Sequence, residues 1–372
     1  MKNLFSTFLF SFLILSVLTA QKPLPETGIS GVYEVMMGVK DANYALKYFG
    51  EFGFRVIDSA EISENDAFKI YGVKSKLKSY RLQNGEVDAH GLLRIFVWEK
   101  SLGDGVGYSL PETLGSRMAV MLTTDIFRLN DIYKAARING KEHWLPTEPI
   151  ADDLFGLDRK DKNTFFKRPV YVRESAVYGD FFTHVFFQRY GYDIPGYGVV
   201  NPNANLKTSE FTHHDFFIKA ENLDCLRYLS EGLGMKPEKE PEIDGDWLKG
   251  PKQVFLMPDG YSHLYQGFVS PNDICGKLKF FVPQQAKPDR SEHQRIGELG
   301  ITLHSFYTPK LKMVYDNLVK LGIKPMDIQR NEFKENSFVF KSPDGVSWQI
   351  IERLTATKYT PTKKLEMKLT NN

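Results

Sequence analysis

Two adjacent histidines and an aspartate, His213-His214-Asp215, lie in an apolar run, "FTHHDFFIKA", that reads as a β-strand. Imidazoles and carboxylates at such spacing are the groups that hold metal ions and move protons. Successive residues on a strand point to opposite faces. His213 and Asp215 therefore share one face and His214 takes the other, so the doublet supplies at most one metal ligand. No P-loop, strand-borne G-x-G-x-x-G, G-x-S-x-G or H-E-x-x-H accompanies it. That removes nucleotide binding, nucleophilic serine and zinc-protease chemistry from the reading.

The element carrying this strand repeats along the chain. "YEVMMGVKDANYALKYFGEFGFRVID" (33–58) reads as strand, helix and strand, with Ala45, Leu46, Tyr48, Phe49 and Phe52 at helical spacing and Gly53 as the stop. Residues 211–237 repeat it with a stop at Gly234, residues 299–327 with Gly322, and residues 117–146 more weakly with Gly140. The stretch "SFVFKSPDGVSWQIIE" (337–352) reads as a hairpin whose Pro-Asp-Gly supplies the turn, and "QVFLMPDGYSHLYQG" (253–267) is read the same way. The unit is β-α-β-β-β, four times over, at about 31–100, 116–190, 211–268 and 298–353. "DIPGYGVVNPNANLKTSE" (193–210) reads as a linker and "FVPQQAKPDRSEHQR" (281–295) as a polar crossover.

The N-terminus, "MKNLFSTFLFSFLILSVLTAQ", has an early lysine, an apolar run from Phe8 to Leu18 and small residues before Gln21. This pattern predicts a signal peptide over 1–20, cleaved after Ala20; the run is short for a bilayer-spanning anchor. The expectation is an exported chain, periplasmic or secreted, with no stable membrane anchor after cleavage, a short linker at 21–30 and a frayed tail at 356–372. Hydrophobic residues make up 42% and charged residues 25%, and the net charge is +2, which describes a globule without a nucleic-acid footprint. Only Cys225 and Cys275 could form a disulfide, and a chain of this size does not need one.

The repeat, the "FGF", "LGM" and "LGI" helix ends and the "SPDGVSWQIIE" hairpin resemble the vicinal oxygen chelate superfamily, which includes glyoxalase I, bleomycin-resistance proteins and extradiol dioxygenases. The resemblance implies an α+β fold of four βαβββ modules, paired into two incomplete β-barrels. An N-terminal pair would span 31–192 and a C-terminal pair 211–355. It also implies a divalent metal (Fe(II), Mn, Ni or Zn) held between the first and last strands of paired modules.

Carried over position by position, the implied ligands are His213 or His214 from the third module and His304 from the fourth. Gln349 or Glu352 from the last strand would complete the set. Spacing back from Gly234 favours His214, whereas the apolar phase of Phe216 and Ile218 turns His214 to the helix side and leaves His213 facing inward. Glu34 on the first strand and His184, on one face with Asp180 and Phe182, are candidates for the wall of a substrate pocket. His90 and His263 have weaker cases.

Two functions follow from the resemblance. One is an exported metal-dependent enzyme, a glyoxalase-like lyase or isomerase or a dioxygenase, acting on a small molecule with vicinal oxygens. The other is a non-catalytic small-molecule binder with a degenerate metal site. Neither needs a nucleic acid, and a monomer or a homodimer suffices.

Overall fold

A computed structural model describes residues 23–85, 90–108, 112–139, 144–152, 171–180, 182–194, 198–238, 249–271, 276–354 and 368–369. The signal segment, most of the tail, Gly140 and Cys275 lie outside the described residues.

The first module contains β1 (Glu34–Gly38), α1 (Ala42–Glu51), β2 (Arg55–Ile62), α2 (Glu64–Tyr71), β3 (Leu77–Gln83) and β4 (Leu92–Trp98). The second contains β5 (Arg117–Thr123), α3 (Ile126–Asn139), the short β6 (Leu145–Pro146) and β7 (Ile150–Asp152), β8 (Tyr171–Tyr178) and β9 (His184–Tyr190), with β10 (Tyr192–Asp193) after it. In the third, β11 (Thr208–Phe217) leads through a 3-10 turn to α4 (Arg227–Glu231), then β12 (Lys236–Pro237), α5 (Lys249–Val254), β13 (His263–Val269) and β14 (Lys277–Pro283). The fourth has β15 (Gly300–Thr308), α6 (Leu311–Lys320), β16 (Gln329–Arg330), β17 (Asn336–Lys341) and β18 (Ser347–Glu352).

Local chemistry explains the helix limits. Asp41 caps α1 by accepting from the Tyr44 amide at 3.1 Å. Gly53, Gly234 and Gly322 sit at φ of +93°, +82° and +80°, a left-handed turn that lets the chain leave each helix at little steric cost. Two local expectations are corrected. The helix α5 ends at Val254 and residues 255–257 follow it without forming a strand, and the third module closes with the β13–β14 hairpin, so it runs on to Pro283. The apolar run before Pro258 packs as a helix end on aromatic neighbours, a pattern too short to separate from a buried strand by periodicity.

Two curled sheets result. The first runs β16-β17-β18-β15-β1-β4-β3-β2 and the second β12-β13-β14-β11-β5-β9-β8-β6. In each, two first strands meet antiparallel at the centre: β1 with β15 and β5 with β11. The first module is thus joined to the fourth and the second to the third, which corrects the expected pairing within 31–192 and within 211–355. The connectors explain it. The connector after β4 and the one before β15 are bridged at Gly103–Glu298 and Leu114–Asp289, and each carries the chain from one sheet to the other.

The inner faces of the sheets enclose four helices. Phe216 and Phe280 of the second sheet share a cluster with Phe306, Trp348 and Ile350 of the first, filled in by Leu229 of α4 and Leu318 of α6. At the other end Val35 and Ile95 meet Met121 and Phe186 around Phe49 of α1 and Leu129 of α3. On the outer faces, α2 covers Met36, Phe96 and Leu303 of the first sheet. The end of α5 and Met257 cover Met118, Val120, Phe217 and Phe281 of the second.

Candidate functional site

The outer face of the first sheet brings Glu34 and Gln349 together, the first-strand and last-strand positions that the resemblance singles out. A guanidinium lies between them. Arg94 donates to both carboxylate oxygens of Glu34, and its Nη1 donates to Gln349 Oε1 at 3.0 Å and to Glu332 Oε1 at 3.3 Å. Arg81 Nε adds a bond to Glu34 at 2.6 Å and Ser305 Oγ another at 2.7 Å, while Arg81 pairs outward with Glu335. Burial works to raise the Glu34 carboxyl, but Arg81 and Arg94 outweigh it and hold the pKa below the usual range.

A divalent metal does not fit these residues. It would have to enter beside two buried guanidiniums and take an amide oxygen already occupied by Arg94, duplicating a charge that is present. Glu34 is a buried anchor of an ion network here, and Gln349 is held at its other end by Ser337 Oγ at 3.0 Å.

The inner faces take three of the candidate imidazoles. His214 and His304, on different sheets, meet edge to face at 4.9 Å between centroids, with Phe216 and Trp348 around His304. Burial lowers His214 to about 3 and holds His304 well below the ordinary value, so both are neutral. His184 lies among Phe52, Phe182 and Phe186 at 4.9, 4.4 and 5.4 Å, lowered to about 3 by burial. It is a wall of the core and not of a pocket. Leu303 faces α2, so alternation turns His304 away from the outer face, opposite to what a ligand role needs. Glu352 sits half-buried at the end of β18, accepting from Asn336 Nδ2 at 2.8 Å. Of the expected ligands only His214 and His304 come together, on the helix side, while His213, Gln349 and Glu352 lie on other faces, so no carboxylate joins the imidazole pair. Among the described residues no three His, Cys, Asp or Glu side chains group as a metal site.

His213 and Asp215 lie on the outer face of the second sheet, opposite Val120 and Met118 and beside Lys277 and Lys279. His213 Nε2 is 4.0 Å from Asp215 Oδ1, too long for a hydrogen bond. Asp215 Oδ1 is buried with no hydrogen-bond partner among the described residues. Burial pushes the Asp215 carboxyl up to about 7, against the pull of Lys279, and holds the His213 imidazole well below its ordinary range. The walls are aromatic: Phe187 is 5.1 Å from the His213 ring, and Phe217, Phe255, Phe281 and Tyr265 continue the face.

Farther along, His263 Nε2 lies 2.7 Å from Glu112 Oε1, and Lys287 pairs with the other Glu112 oxygen. Glu112 holds φ of +64°, strained for a side-chain-bearing residue. Burial opposes its ionisation, yet His263 and Lys287 keep its carboxyl below the usual range.

Against solved structures, the chain matches a proposed dioxygenase from Bacillus subtilis at 11% identity and a TM-score of 0.51, over 91% of this chain and 87% of that one. The fold is that of the vicinal oxygen chelate superfamily. Glyoxalase I from Zea mays also matches this fold, at 13% identity and a TM-score of 0.49 over 87% of this chain and 92% of that one. No protein-family model and no curated protein matches the sequence. At such identities the likeness reaches the vicinal oxygen chelate fold alone.

Sequence reasoning missed Arg94, Arg81, Glu112 and Lys287. The signal for Arg94 was present: an arginine inside the apolar strand "LLRIFVW" is costly to bury unless paired.

Proposed function

We propose that the protein is an exported small-molecule binder on the vicinal oxygen chelate fold. Its ligand lies on the outer face of the second sheet, and its polar contacts come from His213 and Asp215, without a coordinated metal. One observation carries this reading: the buried Asp215 Oδ1, without a hydrogen-bond partner among the described residues, on an aromatic-lined face. An orphaned buried acceptor is costly unless something supplies a donor. The ligand that satisfies it has a hydroxyl or amine donor on an apolar or aromatic body. Export follows from the signal segment at 1–20.

The Asp215 carboxyl near 7 supports a second reading, a metal-free proton transfer in which Asp215 takes a proton from the bound molecule. Ligand-observed NMR with a set of small phenols, alcohols and amines tests the binding claim. Hits are expected for the wild type, with affinity falling about tenfold in Asp215→Asn and in Phe187→Ala. Hits unaffected by either substitution contradict it. Conversion of a hit, abolished in Asp215→Asn, selects the catalytic reading.

A further inference from the structure

A cleft of about 400 Å³, counted to its open mouth, lies away from both outer faces where the sheets meet at one end. Its walls come from the start of β5 (Gly115, Ser116, Arg117), from Gly179, Asp180, Phe182 and Thr183 between β8 and β9, and from the start of β15 (Leu299 to Ile301), with Val106 and Gly107 at the side.

Arg117 is 5% exposed. Its Nη2 donates to Gln294 Oε1 at 2.8 Å, while Nε and Nη1 have no partner among the described residues. The Ser116 hydroxyl, also buried, has none either. A buried guanidinium with two nitrogens unmatched is among the costliest arrangements a fold can keep. Burial lowers its pKa only to about 10, so the charge is retained at neutral pH. Asp344 is the carboxylate that acts on it electrostatically, but its oxygens are bonded to Ser342, Tyr228 and the Val346 amide.

The geometry points to a second ligand site in this cleft, in which Arg117 and Ser116 receive the carboxylate of a small organic monoacid. Charge count selects a monoanion: there is one guanidinium, with Asp344 near it and the exposed Asp180 at the rim, so a phosphate dianion would be under-compensated. Val106, Phe182, Leu299 and Ile301 provide contact for a short apolar body. This site is independent of the one around Asp215.

Calorimetric titration with butyrate, benzoate, inorganic phosphate and butylamine tests the site. Saturable binding is expected for butyrate or benzoate, at least about tenfold weaker in Arg117→Met, with phosphate and butylamine weaker than the carboxylates. Ser116→Ala, which leaves the guanidinium in place, weakens carboxylate binding about threefold by removing one donor. That arm decides the matter if Arg117→Met does not fold. Failure of both carboxylates to bind, binding unchanged in the variants, or phosphate binding as tightly as the acids overturns the assignment.

Discussion

Asp215 concentrates the chemistry of the molecule in one side chain. It is buried, has no hydrogen-bond partner at Oδ1 among the described residues, and is flanked by His213 on its own strand and by Lys277 and Lys279 on β14. With the carboxyl at about 7 and His213 neutral, the ligand-accepting form appears as pH rises through 7. Affinity for a hydroxyl-bearing ligand is expected to strengthen about three- to tenfold between pH 6 and 8, with a midpoint near 7, and to lose that profile in Asp215→Asn. A flat profile in the wild type counts against the assignment. The phase of Phe216 and Ile218 put His213 and Asp215 on the face away from the helices, as found, whereas spacing back from Gly234 favoured His214 for that face. What Asp215 would coordinate was not legible, since a lone carboxylate reads as solvated until its burial is known.

Single elements show where phase succeeds and where it slips by one residue. On β1 the apolar phase of Val35, Met37 and Val39 puts Glu34 on the outer face, as found. On β4 Ile95 packs between the sheets and its neighbour Arg94 occupies the outer face. The outward position therefore holds a cation that neutralises Glu34 internally. Arg94→Met is therefore expected to destabilise the fold by about 3–5 kcal/mol in urea denaturation, because Glu34 loses one of its two neutralising guanidiniums while staying buried. Arg94→Met combined with Glu34→Gln should recover a substantial part of that loss. An Arg94→Met variant as stable as the wild type would show that the network does not hold the face together.

At the scale of the whole molecule, four copies of one unit were readable because helix-stop glycines and turns recur in order. Partner choice was not, since every first strand offers a similar apolar edge, and the bridges Gly103–Glu298 and Leu114–Asp289 between the connectors have no signal in the sequence. The consequence is functional. Of the two histidines expected to join His304, His214 meets it across the sheets and His213 faces away, and the Glu34–Gln349 position is filled by arginine. The central claim is that the site around Asp215 works without a metal. Metal content measured by mass spectrometry on protein purified anaerobically, then equilibrated with Fe(II), Mn, Ni and Zn and desalted, tests it most directly. Well under one metal per chain, unchanged in His213→Ala, is the predicted result; one metal per chain that disappears in His213→Ala would contradict the account.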